Sequence, residues 1–160
     1  MGNEFGHPEW IDFPREGNDW SYKYARRQWS LMDNPLLRYH YLSDFDRAMI
    51  KLVRDAKLLS TLYANQLNCD ENNKCLVFER AGLIFLFNFH TTGSIPGYEF
   101  TVPQAGDYKI VLNTDHVNFG GHGRVNEDMV YSTRFDETTS TNRLSVYSTN
   151  RTGIVLVKVK

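Results

Sequence analysis

Four carboxyl groups, Glu4, Glu9, Asp12 and Glu16, stand within the first sixteen residues of the chain. Paired carboxyls are the tools of general acid–base chemistry. A retaining sugar transfer needs two of them about 5 to 5.5 Å apart, one as nucleophile and the other as acid and then base. Such a pair works only when rigid surrounding elements fix its spacing. Residues 1–34 are dense in Trp, Pro, Gly and charge and show no sustained hydrophobic period, so they offer no frame for a pair and no catalytic residue is assigned.

Other chemistry-bearing groups read as structural. The five histidines are scattered without metal-ligand spacing, and two cysteines are too few for a zinc site, so no metal is expected. Cys69 and Cys75 flank a polar stretch that a hairpin can fold, but free thiols are the expected state in a reducing compartment. Phe119-Gly120-Gly121-His122-Gly123-Arg124 has the glycines of a phosphate cradle without its Lys-Ser/Thr ending, and is expected to be a structural loop. Trp20 and Trp29 are expected in the core, Tyr39, Tyr41 and Phe45 as packing around a helix, and His90 at a strand end facing solvent.

The elements that must position these groups change character near residue 57. Asn34-Pro35 has the form of an N-cap followed by Pro at the first helical position. Behind it Leu42, Phe45, Met49 and Leu52 recur at helical spacing, which predicts an amphipathic helix over 35–55. Ser43 and Asp46 offer a second cap and hence a kink. A shorter helix is expected over 22–31. From Leu58 onward the pattern is β. Residues 76–79 and 83–90 flank Arg80-Ala81-Gly82, a hairpin with Gly82 at positive φ. In the second strand Phe85, Phe87 and Phe89 share one face, read as the buried one, while Ile84, Leu86 and then polar Asn88 and His90 share the other, which emerges into solvent. Gly106-Asp107 is a turn ahead of a strand over 108–112. At the end Val155, Val157 and Val159 alternate with Lys158 and Lys160, the pattern of a protected edge strand. Residues 113–143 read as long loops. The fold class is therefore mainly β with a helical N-terminal appendage: residues 1–57, then an antiparallel β-sandwich over 58–160.

With 41% apolar and 23% charged residues, the 160-residue chain has the composition of a globular domain. A formal charge of −1 gives no electrostatic reason for a nucleic-acid or membrane partner. The opening MGNEFGHPEW lacks a basic segment followed by an apolar stretch, so a cytoplasmic location is expected.

The run from Met1 to Arg15 closely resembles the last barrel strand and following loop of the 1,4-alpha-glucan branching enzymes, members of the alpha-amylase superfamily. Three further blocks fit the same family in order: Ala25-Arg26-Arg27-Gln28-Trp29; Leu37-Arg38-Tyr39 with Phe45-Asp46-Arg47-Ala48-Met49; and Phe119 to Arg124. The resemblance implies that the β-sandwich is of the alpha-amylase C-terminal type, preceded by the end of a (β/α)8 barrel, with residues 1–57 the closing piece of that barrel. It implies an α-glucan substrate (glycogen, starch or amylose), no cofactor, and catalytic carboxylates on earlier barrel strands, so that this chain alone is inactive. Barrel enzymes build their clefts from loops at the strands' C-terminal ends. The resemblance thus makes Glu4, His7, Glu9, Trp10, Asp12 and Arg15 candidate substrate-binding residues, with Trp10 stacking on a glucose ring. In the plainer alternative Trp10 and Phe13 wedge the loop against the barrel rim and Arg15 pairs with an acid. Met1 is either a start or an internal methionine. The competing reading of the whole chain is a stand-alone, non-enzymatic glucan-binding or structural β-sandwich.

Overall fold

Beyond Leu58 the apolar residues recur mostly at every second position, the period that leaves one face of a strand buried. The computed structural model describes residues 2–159. Its strands are β1 (Asn65–Asp70), β2 (Cys75–Arg80), β3 (Leu83–Asn88), β4 (Ile95–Val102), β5 (Asp107–Asn113), β6 (Val130–Ser132), β7 (Arg134–Asp136), β8 (Thr141–Ser148) and β9 (Thr152–Lys158). They form a six-stranded sheet in the order β1-β2-β3-β9-β5-β6 and a three-stranded sheet β4-β8-β7, with every pairing antiparallel. Val77, Ile84, Leu86, Ile110, Ile154 and Leu156 of the large sheet meet Tyr98, Phe100, Val102, Leu144 and Val146 of the small one in a single core. The architecture is the expected β-sandwich with a helical N-terminal appendage.

Two helices precede the strands, α1 (Ser30–Asp33) and α2 (Tyr39–Asp55). The second lies on the outer face of the large sheet. There Leu52, Val53 and Ala56 pack with Leu58, Leu83, Phe85, Leu112, Val155 and Val157. Lys57, in the left-handed region at φ 51°, ends the helix and turns the chain toward β1. The β2–β3 connection is a two-residue turn in which both Ala81 (φ 53°) and Gly82 (φ 77°) are left-handed. That geometry matches the right-handed twist of the two strands it joins.

Several expectations are corrected. The main helix begins at Tyr39 rather than at residue 35, because the Asn34 side chain accepts the Leu36 N–H (3.0 Å) and closes a local turn instead. The helix runs unbroken from Tyr39 to Asp55 with no second start, and Ser43 is buried, donating to Met32 Sδ at 3.0 Å. Of the helix expected over 22–31 only its last residues, at the start of α1, are helical; Tyr22 and Ala25 are joined by a turn bond. Trp20 and Trp29 are 67% and 45% exposed, not core, since neither sheet reaches them.

β9 is a central strand between β3 and β5, not an edge. Alternation reports which face of a strand is buried and says nothing of its place in the sheet. The faces of β3 are reversed: Ile84, Leu86 and Asn88 point into the core while Phe85, Phe87 and the exposed Phe89 point out. Burial of Asn88 is permitted because its amide donates to the carbonyls of Gly93 (3.1 Å) and Ser148 (3.3 Å). His90 is half-buried rather than solvent-facing, its Nδ1 accepting the N–H groups of Thr92 and Gly93. The stretch 113–143 holds β6, β7 and the start of β8 between its loops. Cys69 faces outward and Cys75 inward, so the pleat itself keeps the two thiols apart and both are free. The expectations for Met1 and Lys160 lie outside the described residues.

Candidate functional site

The N-terminal segment is organised around Phe5. Gly2 (φ 90°) and Gly6 (φ 70°) bracket a 3-10 turn at Asn3–Phe5, and the turn drives Phe5 inward to 1% exposure. A side chain at Gly2 would have both conformation and space against it, since its Cβ would lie 2.8 Å from His7 Cβ and 2.9 Å from Arg27 Cδ. The Phe5 ring meets Trp29 at 5.1 Å and His7 edge-on at 5.8 Å. His7 Nδ1 faces two donors, the Glu9 N–H and Arg27 Nη1, each at 3.2 Å. Accepting from both assigns the proton to Nε2, which is buried with no partner among the described residues. Arg27 in turn donates to the Tyr24 carbonyl at 3.0 Å.

Beyond His7 the chain emerges. Trp10 is 64% exposed, its ring 5.8 Å from that of Tyr24, and Phe13 is 62% exposed. The Arg15 guanidinium donates to Asp12 at 3.0 and 3.3 Å, and the Asn18 amide adds a bond of 2.9 Å. The hydrogen bond from Arg15, then that from Asn18, hold the Asp12 carboxyl below the ordinary range. A general acid needs the opposite shift, so Asp12 is an anchor of the loop rather than a proton donor. The six candidate residues therefore split. His7 and Glu9 are joined by a hydrogen bond, Asp12 and Arg15 by an ion pair, and Trp10 stands outward with Tyr24. Glu4 lines a separate hollow of about 560 Å³ with Trp29, Met32, Ser43 and Arg47. Reasoning from sequence missed Tyr24 and Arg27 as partners of Trp10 and His7, because contacts between residues so far apart along the chain, without a shared element, leave no periodic signal.

The glycine-rich loop is a structural latch, as expected. Its backbone N–H groups at His122 (3.2 Å) and Arg124 (2.9 Å) donate to the Asp115 carboxylate, which also receives the Arg124 guanidinium at 2.9 and 3.1 Å. A carboxylate already fills the place a phosphate would take. Burial pushes Asp115 upward, but the hydrogen bonds from Arg124 and His122 outweigh it and hold the carboxyl below its usual range. Gly121 sits against Asp115, where a Cβ would come 2.2 Å from the backbone carbonyl. On the helix side Tyr41 covers Gly120, and Phe45 meets Phe119 edge-on at 5.5 Å. The loop thus fastens α2 to the sandwich, and the Tyr41 and Phe45 rings are packing groups.

Residues 67–159, which span the nine-strand sandwich but for the first two residues of β1, match the family described as alpha amylase, C-terminal all-beta domain. The chain belongs to that family. As an alpha-amylase C-terminal domain with its helical lead-in, it is similar over nearly its whole length to larger proteins. It is 49% identical over 156 residues to a 1,4-alpha-glucan-branching enzyme of Saccharomyces cerevisiae, covering 97% of this chain and 22% of that protein. The corresponding figures for the enzyme of that name from Felis catus are 47% over 160 residues, 99% and 23%. For the chloroplastic/amyloplastic enzyme of Oryza sativa subsp. japonica they are 50% over 133 residues, 83% and 16%. The chain spans about a fifth of the length of the curated relatives it matches. The likeness extends through the appendage as well as the sandwich.

Proposed function

We propose that this chain is the C-terminal part of a 1,4-alpha-glucan branching enzyme, which moves a segment of α-1,4-glucan onto a 6-hydroxyl. The observation that carries the reading is the 49% identity running through residues of both the N-terminal loop and the sandwich, over 97% of the chain. Residues 1–57 close the catalytic barrel in this reading, and 58–160 form the domain that flanks it. The missing barrel is the chain's partner, and the catalytic carboxylates belong to it. Two free thiols accord with a cytoplasmic location.

Within the reading, Trp10 stacks on a glucose ring at the rim of the cleft. Its open indole face beside Tyr24 supports that role. His7 and Glu9 hold the base of the loop, Asp12 and Arg15 fix its bend, and Glu4 faces the hollow under α2. The test is a chimera in which this chain replaces the matching segment of the Saccharomyces cerevisiae relative. The chimera should branch amylose, read from the shift of the iodine spectrum, while the 160-residue chain alone should leave amylose linear. A folded chimera without branching activity, or branching by the isolated chain, overturns the proposal.

A further inference from the structure

A hollow of about 390 Å³ opens where the latch loop meets the connection from β8 to β9, and polar side chains line it, among them Thr91, Thr114, His122, Arg124 and Arg151. Three residues, Thr149 to Arg151, carry the chain there from the small sheet to the large one. Asn150 fixes that connection. Its side-chain oxygen accepts Arg124 Nη1 at 2.6 Å and the Ser94 hydroxyl at 3.1 Å, and its amide donates to the Thr91 carbonyl at 2.9 Å. Arg151 then makes the sharp turn in the left-handed region, at φ 54°. Glycine takes that conformation at no steric cost, whereas a residue with a Cβ is held there only by its surroundings. The connection thus presents a guanidinium at a position where glycine would serve the turn better.

The charges and hydrogen bonds of the hollow are unbalanced in one direction. Arg124 spends all but one of its N–H groups on Asp115 and Asn150, and its charge is offset by Asp115 in an ion pair of 2.9 Å. Arg151 is exposed and has no carboxylate partner among the described residues. The hollow therefore carries an excess positive charge in a chain whose formal charge is −1. Donors are in excess as well. The Thr114 hydroxyl accepts the Gly153 N–H at 2.9 Å, which leaves its own hydrogen to give, and exposed Thr91 adds a second hydroxyl. By contrast both Asp115 oxygens and the Asn150 side-chain oxygen already receive two donors each. A sugar hydroxyl must find acceptors as well as donors, and the phenyl ring that lines the hollow, Phe119, is engaged edge-on with Phe45. An oxyanion needs only donors and positive charge, and the planar fork of a guanidinium matches phosphate oxygens in pairs. We propose that the hollow binds a phosphate group, anchored by the Arg151 fork and steadied by the hydroxyls of Thr91 and Thr114. The N–H groups of the latch loop stay with Asp115. The volume leaves room for a small molecule to which the phosphate is esterified, and the site stands whether or not the larger protein branches glucan.

The test is thermal unfolding of the 160-residue chain at low protein concentration, with sodium phosphate replacing sodium chloride at constant ionic strength. Phosphate stabilises proteins in general by exclusion from their surfaces, without saturating, so the informative quantity is a saturable rise in melting temperature. The parent chain should gain about 4 °C at about ten times the dissociation constant. Arg151→Gly should melt no lower than the parent in chloride, because glycine suits φ 54°. It should nevertheless bind phosphate at least about tenfold more weakly. Thr91→Ala, on a different segment, should weaken binding about threefold. Glucose 6-phosphate, titrated in the same way, separates the two sources of the group: tighter binding than inorganic phosphate names an ester, and binding no tighter names the free ion. Equal saturable rises in the parent and in Arg151→Gly overturn the proposal, as does a rise that never saturates; either would mean an adventitious ion only. A response to maltotetraose without one to phosphate would make the hollow a sugar face and overturns it too. Lower melting of Arg151→Gly in chloride would mean that the guanidinium serves the fold, with the same consequence.

Discussion

Two side chains decide what the N-terminal loop and the latch can do. Trp10 keeps its indole in the open while its neighbours His7, Asp12 and Arg15 are engaged with one another or with the backbone. Trp10→Ala in the chimera should lower kcat/KM on amylose about tenfold, the equivalent of about 1.4 kcal/mol of lost contact, with an unchanged circular dichroism spectrum. An unaltered kcat/KM would assign Trp10 to packing against the rim. Asp115 is the buried acceptor of four hydrogen bonds from Arg124 and His122. Its folded pKa lies below the unfolded value, so the stability it contributes is present above about pH 4 and is lost as the pH falls further, through the folded value. Asp115→Asn should therefore cost about 2 to 3 kcal/mol at pH 7, as expected for hydrogen bonds to a charged group. The gap between parent and variant in urea unfolding should narrow below about pH 4. A gap that stays constant with pH would show that the charge of Asp115 is not what matters.

At the scale of elements, the helix and the sandwich are joined by one loop and one apolar seat. Gly121→Ala places a methyl 2.2 Å from the Asp115 carbonyl, and the loop must shift away from the helix. The expected cost is about 2 to 3 kcal/mol in urea unfolding, typical of overpacking a close contact. Faster amide exchange at Tyr41 to Phe45 should accompany it. Destabilisation without that local change would place the damage in the sandwich rather than in the latch. The elements themselves were unevenly legible. Helix α2 and the β2–β3 hairpin stood out because each carries a strong local signal, a 3.6-residue stripe in one and a Gly turn between β runs in the other. The short strands β6 and β7, three residues each, have no room for a period to show. β8 was hidden by its run of Thr, Ser and Asn, whose buried apolar positions, Leu144 and Val146, are only two.

For the whole molecule, exposed aromatics set the character of the surface. Trp10, Phe13, Trp20, Tyr22 and Trp29 stand open on the appendage, and Phe89 stands open on the sheet. In isolation these surfaces should bind a hydrophobic dye and promote self-association as concentration rises, seen in sedimentation. The chimera should show less of both for the same mass of protein. A monodisperse isolated chain that ignores the dye would favour a self-sufficient sandwich.

By itself, the sequence determined that a main helix precedes a β-rich region, the change of character near residue 57 and the resemblance of its N-terminal run. These are properties of neighbouring residues and survive without knowledge of the fold. Only the tertiary structure decided which face of β3 is buried, that β9 lies in the middle of the sheet, and that His7 meets Arg27 and Asp115 meets Arg124. Such choices depend on partners far away along the chain. A strand's alternation is the same whichever face turns inward, and only the groups across the core, such as the carbonyls awaiting Asn88, determine it.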